Sequence, residues 1–369
     1  MNQKLKADRS RKDLMVLTVI GARPQFIKAA AVSRVLQKFA TEIILHTGQH
    51  YADNLSQVFF DELDIPQPDY NLGVGSGPHG AQTGEMLAKT EAVLLKEKPD
   101  WVLVYGDTIS TLAGALAAAK AGIKVAHVEA GLRSYNRRMP EEVNRVLTDH
   151  ISDLLFCPSE VAVENLRKEG VLNSVVVVGD VMADSLAYAA EKAAMRSQLL
   201  QDLNLQPGEY ILTTVHRAEN TDDPHRLENI MKALAGLDLK IVFPIHPRTK
   251  QAIKRFNLEH YLEGSKIRVI DPLGYLDMVY LEKSAEMILT DSGGIQKEAY
   301  WLKVPCVTLR DETEWTETVQ TGWNVLAEAD PDDIVEKVRD FKIPQEHPEL
   351  YGSGQSGQKI VDHLLSVND

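Results

Sequence analysis

Cysteine is scarce: Cys157 and Cys306 are the only two in 369 residues, far apart and with no CxxC. That excludes a disulfide framework and zinc-type spacing, and both are expected to be core thiols in a reducing compartment. No apolar run reaches the roughly 20 residues of a membrane-spanning helix. Basic runs are missing and the net charge is −13, so no face is expected to hold nucleic acid. The opening stretch, 1–13, is polar and mixed in charge, without the apolar centre of a signal peptide; a cytoplasmic location is expected. Also missing are GxGxxG, the P-loop, Gly-x-Ser-x-Gly and HExxH. Their absence argues against a dinucleotide fingerprint, ATP-driven chemistry, a nucleophile elbow and a zinc protease, and no metal is expected.

What the chain does have is an alternation of apolar runs and helical patterns from end to end. Strand-like runs are Met15–Ile20, Glu42–His46, Trp101–Tyr105, Lys124–Val128, Leu154–Cys157 and Val175–Val178. A second series comprises Tyr210–Val215, Lys240–Ile245, Ile267–Ile270, Met287–Leu289 and Cys306–Leu309. Helical periodicity fills the gaps, so the fold class is α/β, with two Rossmann-like domains facing across a cleft. A polar, alanine-rich helix over Asp184–Leu203 separates the series. The expected domains are 14–182 and 183–350, with 351–369 as a C-terminal helix. In such sheets ligands bind beyond the carboxyl ends of the strands.

The residues at those ends carry the chemistry. Met287–Leu289 runs into Thr290-Asp291-Ser292-Gly293-Gly294 and then a helix. Two residues without Cβ allow close backbone approach, the helix start presents free N–H groups, and Ser292 can cap it. This is the pattern of a phosphate seat, with Glu298 one turn further, where a carboxylate can take the two hydroxyls of a ribose. Asp107 follows Trp101–Tyr105 and Glu129 follows Lys124–Val128, so the carboxylates end two successive strands and are expected to share a pocket. Glu141 lies in the first turn of the helix opened by Pro140. Arg23 and Lys28 follow the first strand and suit an anion. His216 and Arg217 end Tyr210–Val215, placed to contact a diphosphate or move a proton. Carboxylates in one half and an anion seat with histidine in the other suit proton transfer on the non-nucleotide part of a nucleotide-diphosphate ligand.

The motifs Gly21-Ala22-Arg23-Pro24, Thr47-Gly48-Gln49-His50, Gly106-Asp107-Thr108, His127-Val128-Glu129-Ala130-Gly131-Leu132-Arg133, Pro140-Glu141-Glu142-Val143-Asn144-Arg145, His216-Arg217-Ala218-Glu219-Asn220 and Asp291-Ser292-Gly293-Gly294 occur in this order. In that order the chain resembles the non-hydrolysing UDP-N-acetylglucosamine 2-epimerases over nearly its whole length. The resemblance implies a glycosyltransferase-B-like fold, a C-terminal helix crossing back to the first domain, a homodimer, a UDP-sugar substrate and no cofactor. It implies inversion at C2: a carboxylate removes the C2 proton as UDP leaves C1, and UDP adds back to the resulting 2-acetamidoglucal with a proton delivered to the opposite face. Carried over by motif, Asp107, Glu129 and Glu141 are the catalytic carboxylates and His216 the catalytic-site histidine. Arg23 and Lys28 lie near the phosphates, and Ser292, Gly293 and Gly294 hold the pyrophosphate. Glu298 takes the ribose, and the loop from Asp271 to Met278, including Leu273, lines the uracil largely through backbone groups.

The chain departs from the family at Gln25, where many members have Glu, and at Trp315, where many have Arg. Gln25 and Glu314-Trp315 look more like the subgroup acting on UDP-2,3-diacetamido-2,3-dideoxy-glucuronate, which leaves two candidate sugars for one reaction. A glycosyltransferase of the same fold and a non-catalytic nucleotide-sugar sensor are the alternatives of other classes.

Overall fold

The structure is a computed structural model that describes residues 14–49, 62–263, 266–352 and 354–367, without the side chains of Arg23 and Arg196. The described chain forms two compact units, one up to Tyr188 and again from Tyr351 onward, the other from Ala189 to Leu350.

The first unit is built on a parallel seven-stranded sheet: β1 (Met15–Ile20), β2 (Thr41–His46), β3 (Tyr70–Asn71), β4 (Trp101–Tyr105), β5 (Lys124–Val128), β6 (Leu154–Cys157) and β7 (Val175–Val177). Their order is β3-β2-β1-β4-β5-β6-β7. Strands buried on both faces read as unbroken apolar runs rather than alternating ones. All five residues of β4, Trp-Val-Leu-Val-Tyr, are accordingly buried. The order reverses between β1 and β4, and a crevice opens at such a switch point. Register sets what lies there: Tyr105 pairs with Val128, so Asp107 and Glu129 follow at adjacent strand ends.

The C-terminal helix Ser356–Ser366 packs in this unit against the helix Arg23–Leu36. Ile360, Val361 and Leu364 are fully buried. The Asp184 carboxylate accepts the first N–H groups of that helix, from Ser356 (3.1 Å) and Gly357 (2.9 Å). A carboxylate there satisfies donors with no intrahelical partner and suits the positive end of the dipole.

The second unit repeats the plan with β8 (Ile211–Thr214), β9 (Ile241–Pro244), β10 (Ile267–Ile270), β11 (Met287–Thr290), β12 (Cys306–Thr308) and β13 (Asn324–Leu326). The order β10-β9-β8-β11-β12-β13 puts its switch point between β8 and β11. Thr214 pairs with Thr290, and their hydroxyls bond at 2.6 Å, so His216 and Asp291 emerge side by side.

The sequence missed β3 and β13, edge strands of two and three residues. The expected helix over Asp184–Leu203 is two: Val181–Arg196 and a single turn, Leu199–Asp202. Ser197 marks the break: its hydroxyl accepts the Leu199 N–H at 3.3 Å, the local bond by which serine competes with a helix, and donates to Asp277 at 2.8 Å. Both cysteines are buried free thiols, and burial pushes each up to about 12.

Candidate active site

In the first unit the strand ends assemble a charged corner. Lys28 forms an ion pair with Glu129, both side chains largely buried. Burial opposes the ammonium, but the charges of Glu129 and then Asp107 outweigh it and hold Lys28 above its ordinary range. Arg145 bonds Asp107 at 2.5 Å and Glu142 at 3.0 Å. Asn144 donates to the Asp107 carbonyl (2.8 Å), so the helix Pro140–Ile151 grips this residue by main chain and side chain. Asp107 is not a helix cap; Thr108 takes that place, accepting the Thr111 N–H at 3.3 Å.

Glu141 stands exposed, one residue from the acidic group that is buried in this turn. That group is Glu142, which accepts the N–H groups of Ser134 (2.9 Å) and Tyr135 (2.8 Å) and bonds Arg145. Burial alone would raise Glu142; the Ser134 amide, Arg145 and the Tyr135 amide hold it below the usual carboxylate range. Glu129 does not pair with Arg133. Arg133 instead bonds Asp149 and Glu169, each at 2.7 Å.

Gln25, a departure from the family pattern, does not face a ligand. It is buried; its amide oxygen accepts Gly21 N–H (2.9 Å) and Ala22 N–H (3.0 Å), and its NH2 donates to the Tyr105 carbonyl and Thr111 hydroxyl, both at 3.0 Å. A carboxylate could accept but not make the last two donations, so this glutamine locks the turn after β1 to the end of β4. The Arg23 side chain and His50 lie outside the described residues.

In the second unit the helix Gly293–Trp301 opens at the end of β11. Ser292 caps it, its hydroxyl accepting Ile295 N–H at 3.4 Å. Gly293 is buried, and a Cβ there would lie 2.6 Å from Oε1 of Glu314. At Gly294 a Cβ would meet only the Ser292 hydroxyl, at 3.8 Å, which leaves room for another group. Glu298 is buried and receives the Tyr275 hydroxyl at 3.2 Å. Leu273 and Met278 are half-buried with side chains against the core.

Asp291, given no role of its own by the sequence, organises this end. It is fully buried and accepts the N–H groups of His216 (3.0 Å) and Arg217 (2.9 Å) and the amide of Asn220 (3.1 Å). It also faces Nδ1 of His216 at 3.3 Å, orienting a ring that is 40% exposed. An acidic residue ending a buried strand just before the glycine pair was the available signal. The ring of His246 lies 5.7 Å from that of His216. Burial, then the neighbouring His216 and the charge of Arg248, lowers His246 below its ordinary range. Glu314 bonds Arg310 (2.7 Å) and Arg217 (3.4 Å) beside Gly293, and Lys297 lies 4.2 Å over the Trp315 ring.

Comparison with known proteins agrees along nearly the whole chain. The sequence model of the family described as UDP-N-acetylglucosamine 2-epimerase matches residues 34–365. A UDP-N-acetylglucosamine 2-epimerase homolog of Methanococcus maripaludis is 54% identical, over 96% of this chain and 100% of that protein. The UDP-2,3-diacetamido-2,3-dideoxy-D-glucuronate 2-epimerase of Pseudomonas aeruginosa is 51% identical over the same shares. The crystal structure of Methanocaldococcus jannaschii UDP-GlcNAc 2-epimerase in complex with UDP-GlcNAc and UDP matches with a TM-score of 0.80 and 47% identity, covering 96% of this chain and 99% of that one. With both sheets, the ordered motifs and these likenesses in agreement, the chain belongs to the UDP-N-acetylglucosamine 2-epimerase family.

Proposed function

We propose that this chain inverts C2 of a UDP-2-acetamido sugar, of the UDP-N-acetylglucosamine to UDP-N-acetylmannosamine type, in the cytoplasm, for surface polysaccharide precursors. The observation that carries this reading is the Asp291–Gly294 corner. It offers a capped helix start with room at Gly294, and a histidine fixed beside it by a buried carboxylate. In this reading Ser292, Gly293 and Gly294 take the diphosphate, with Arg23 and Lys28 near the phosphates. Glu298 accepts ribose hydroxyls, and the backbone around Leu273 and Met278 takes the uracil. His216 steadies the charge that gathers on the diphosphate as the C1–O bond breaks.

Proton removal from one face and delivery to the other require two acid/base groups. We assign them to Asp107 and Glu129. When one carboxylate takes the C2 proton, the C–H electron pair becomes the C1–C2 double bond and the C1–O pair leaves with UDP. In the return step UDP attacks C1 and C2 takes a proton on the opposite face. Glu141 supports or relays a proton, and its exposure suits exchange with water.

A homodimer is part of the proposal. Its support is an apolar stripe left uncovered on the helix Pro140–Ile151 and the residue before it: Met139, Val143 and Leu147 are 38, 41 and 46% exposed.

The second sugar, a 3-acetamido uronate on UDP, is favoured by Glu314-Trp315 and by the likeness to the Pseudomonas aeruginosa enzyme. Gln25 no longer bears on it, because its hydrogen bonds are internal. The deciding experiment offers each UDP-sugar separately and follows epimer formation by proton NMR in deuterated water. Epimer carrying deuterium at C2 is expected from one of them; epimer without label would remove proton abstraction, and no epimer from either would remove the reaction.

A further inference from the structure

The first unit holds a buried titratable group that the proposed chemistry does not use. His127, on β5, is fully buried, so it touches no substrate. Its Nε2 lies 2.7 Å from the carbonyl of Gly106, and its Nδ1 lies 2.7 Å from Oδ1 of Asp149. A carbonyl only accepts, so Nε2 carries a proton. Burial opposes the charge of Asp149, but His127 and then Arg133 hold it below the usual carboxylate range. Both ring nitrogens of His127 are thus tied into the network.

Asp149 passes the constraint on. Its Oδ2 accepts Gly131 N–H at 3.1 Å and the Arg133 guanidinium at 2.7 Å. The chain of bonds therefore runs from Gly106, next to Asp107, through His127 and Asp149 to Gly131, two residues past Glu129. The loop it braces is strained. Glu129 has φ +70°, a left-handed conformation that costs a non-glycine residue about 1–2 kcal/mol and persists only where its surroundings impose it. At Gly131, with φ +79°, a Cβ would lie 2.4 Å from the Ala162 carbonyl, so the backbone there packs directly against the helix Glu160–Lys168.

We infer that His127 is a positioning residue: a buried ring, anchored by Asp149, that fixes the loop bearing Asp107 relative to the loop bearing Glu129. The inference rests on the reading of those two carboxylates as the proton-transfer pair. Misplacing a reacting group by about 1 Å can cost roughly a hundredfold in rate. Substrate held by the second unit's groups would bind as before.

The test compares wild type with His127→Phe, which keeps a planar, somewhat larger ring and deletes both bonds, and with Asp149→Asn, which keeps an acceptor and deletes the charge. The expected result for His127→Phe is a fall of about 100-fold in kcat and a parallel fall in C2 deuterium incorporation, with KM and UDP affinity within about threefold. Asp149→Asn should fall in the same direction by less. A folded His127→Phe with kcat within threefold of wild type overturns the inference. So does a loss that only tracks the fraction of unfolded protein. Should His127→Phe not fold, Asp149→Asn decides: a folded Asp149→Asn with kcat within threefold of wild type overturns the inference. If the reading of the carboxylates is what fails, Asp107→Asn and Glu129→Gln will keep turnover, whatever the His127 and Asp149 variants show.

Discussion

The guanidinium of Arg145 lies 2.5 Å from the carboxylate of Asp107, and its other terminal nitrogen bonds Glu142 at 3.0 Å. One planar fork thus serves two carboxylates that lie far apart in sequence. Lysine cannot reproduce it, because an ammonium is a point charge on a flexible stem. Arg145→Lys should therefore lose activity almost as fully as Arg145→Ala, by roughly a hundredfold in kcat. Steady-state rates on the UDP-sugar check this; a lysine variant within about fivefold of wild type would show that only the charge matters.

Gly293→Ala separates stability from binding. Alanine is the better helix former by about 0.5–1 kcal/mol. The added methyl would meet Glu314 Oε1 at 2.6 Å, the movable end of an exposed side chain. The fold should hold, with a melting temperature equal to or above that of wild type. UDP affinity should fall by about tenfold or more, because the methyl and the Glu314 carboxylate it displaces crowd the helix start proposed to take the diphosphate. Calorimetric titration with UDP decides it; undiminished affinity would place the diphosphate elsewhere.

Much of this was legible in the sequence, for reasons visible in particular residues. Strands such as β4 and β11 read correctly because a parallel strand covered on both faces is apolar throughout. β3 and β13 were not read, since two or three residues at an edge carry no pattern. The placement of Asp107 and His216 at the carboxyl ends of strands was read correctly, because that position follows directly from the apolar runs before them. Their partners were not. Glu129 pairs with Lys28 across about a hundred residues, and Asp291 reaches back 75 residues to His216. Such pairs are set by strand order and register, which periodicity does not encode. Inside the helix Pro140–Ile151 the charge pattern could not tell Glu141 from Glu142; the structure buries the second.

Cys157 and Cys306 should be silent toward thiol reagents in the native protein. Only a thiolate reacts, and burial pushes both thiols up to about 12. Titration with an aromatic disulfide is expected to find no fast-reacting thiol at neutral pH and two in denaturant. A thiol reacting on mixing would mean that one of these sites opens readily.

Glu282 is buried with one carboxyl oxygen unpartnered. Burial, and secondarily the charge of Glu298, raise it well above the usual carboxylate range. The sign of its effect on stability follows from this. A group held more basic in the fold than in the unfolded chain contributes its full stability below the unfolded value, here 4.5, and loses it as pH climbs toward the folded one. Replacing it with glutamine, which cannot ionise, should do little near pH 4.5 or below and increasingly stabilise the protein above it. The melting temperature of Glu282→Gln should exceed that of wild type by at least about 2 °C near neutral pH, with the gap closing on acidification. Scanning fluorimetry across that range checks it; a gap independent of pH would mean that Glu282 ionises as freely in the fold as out of it.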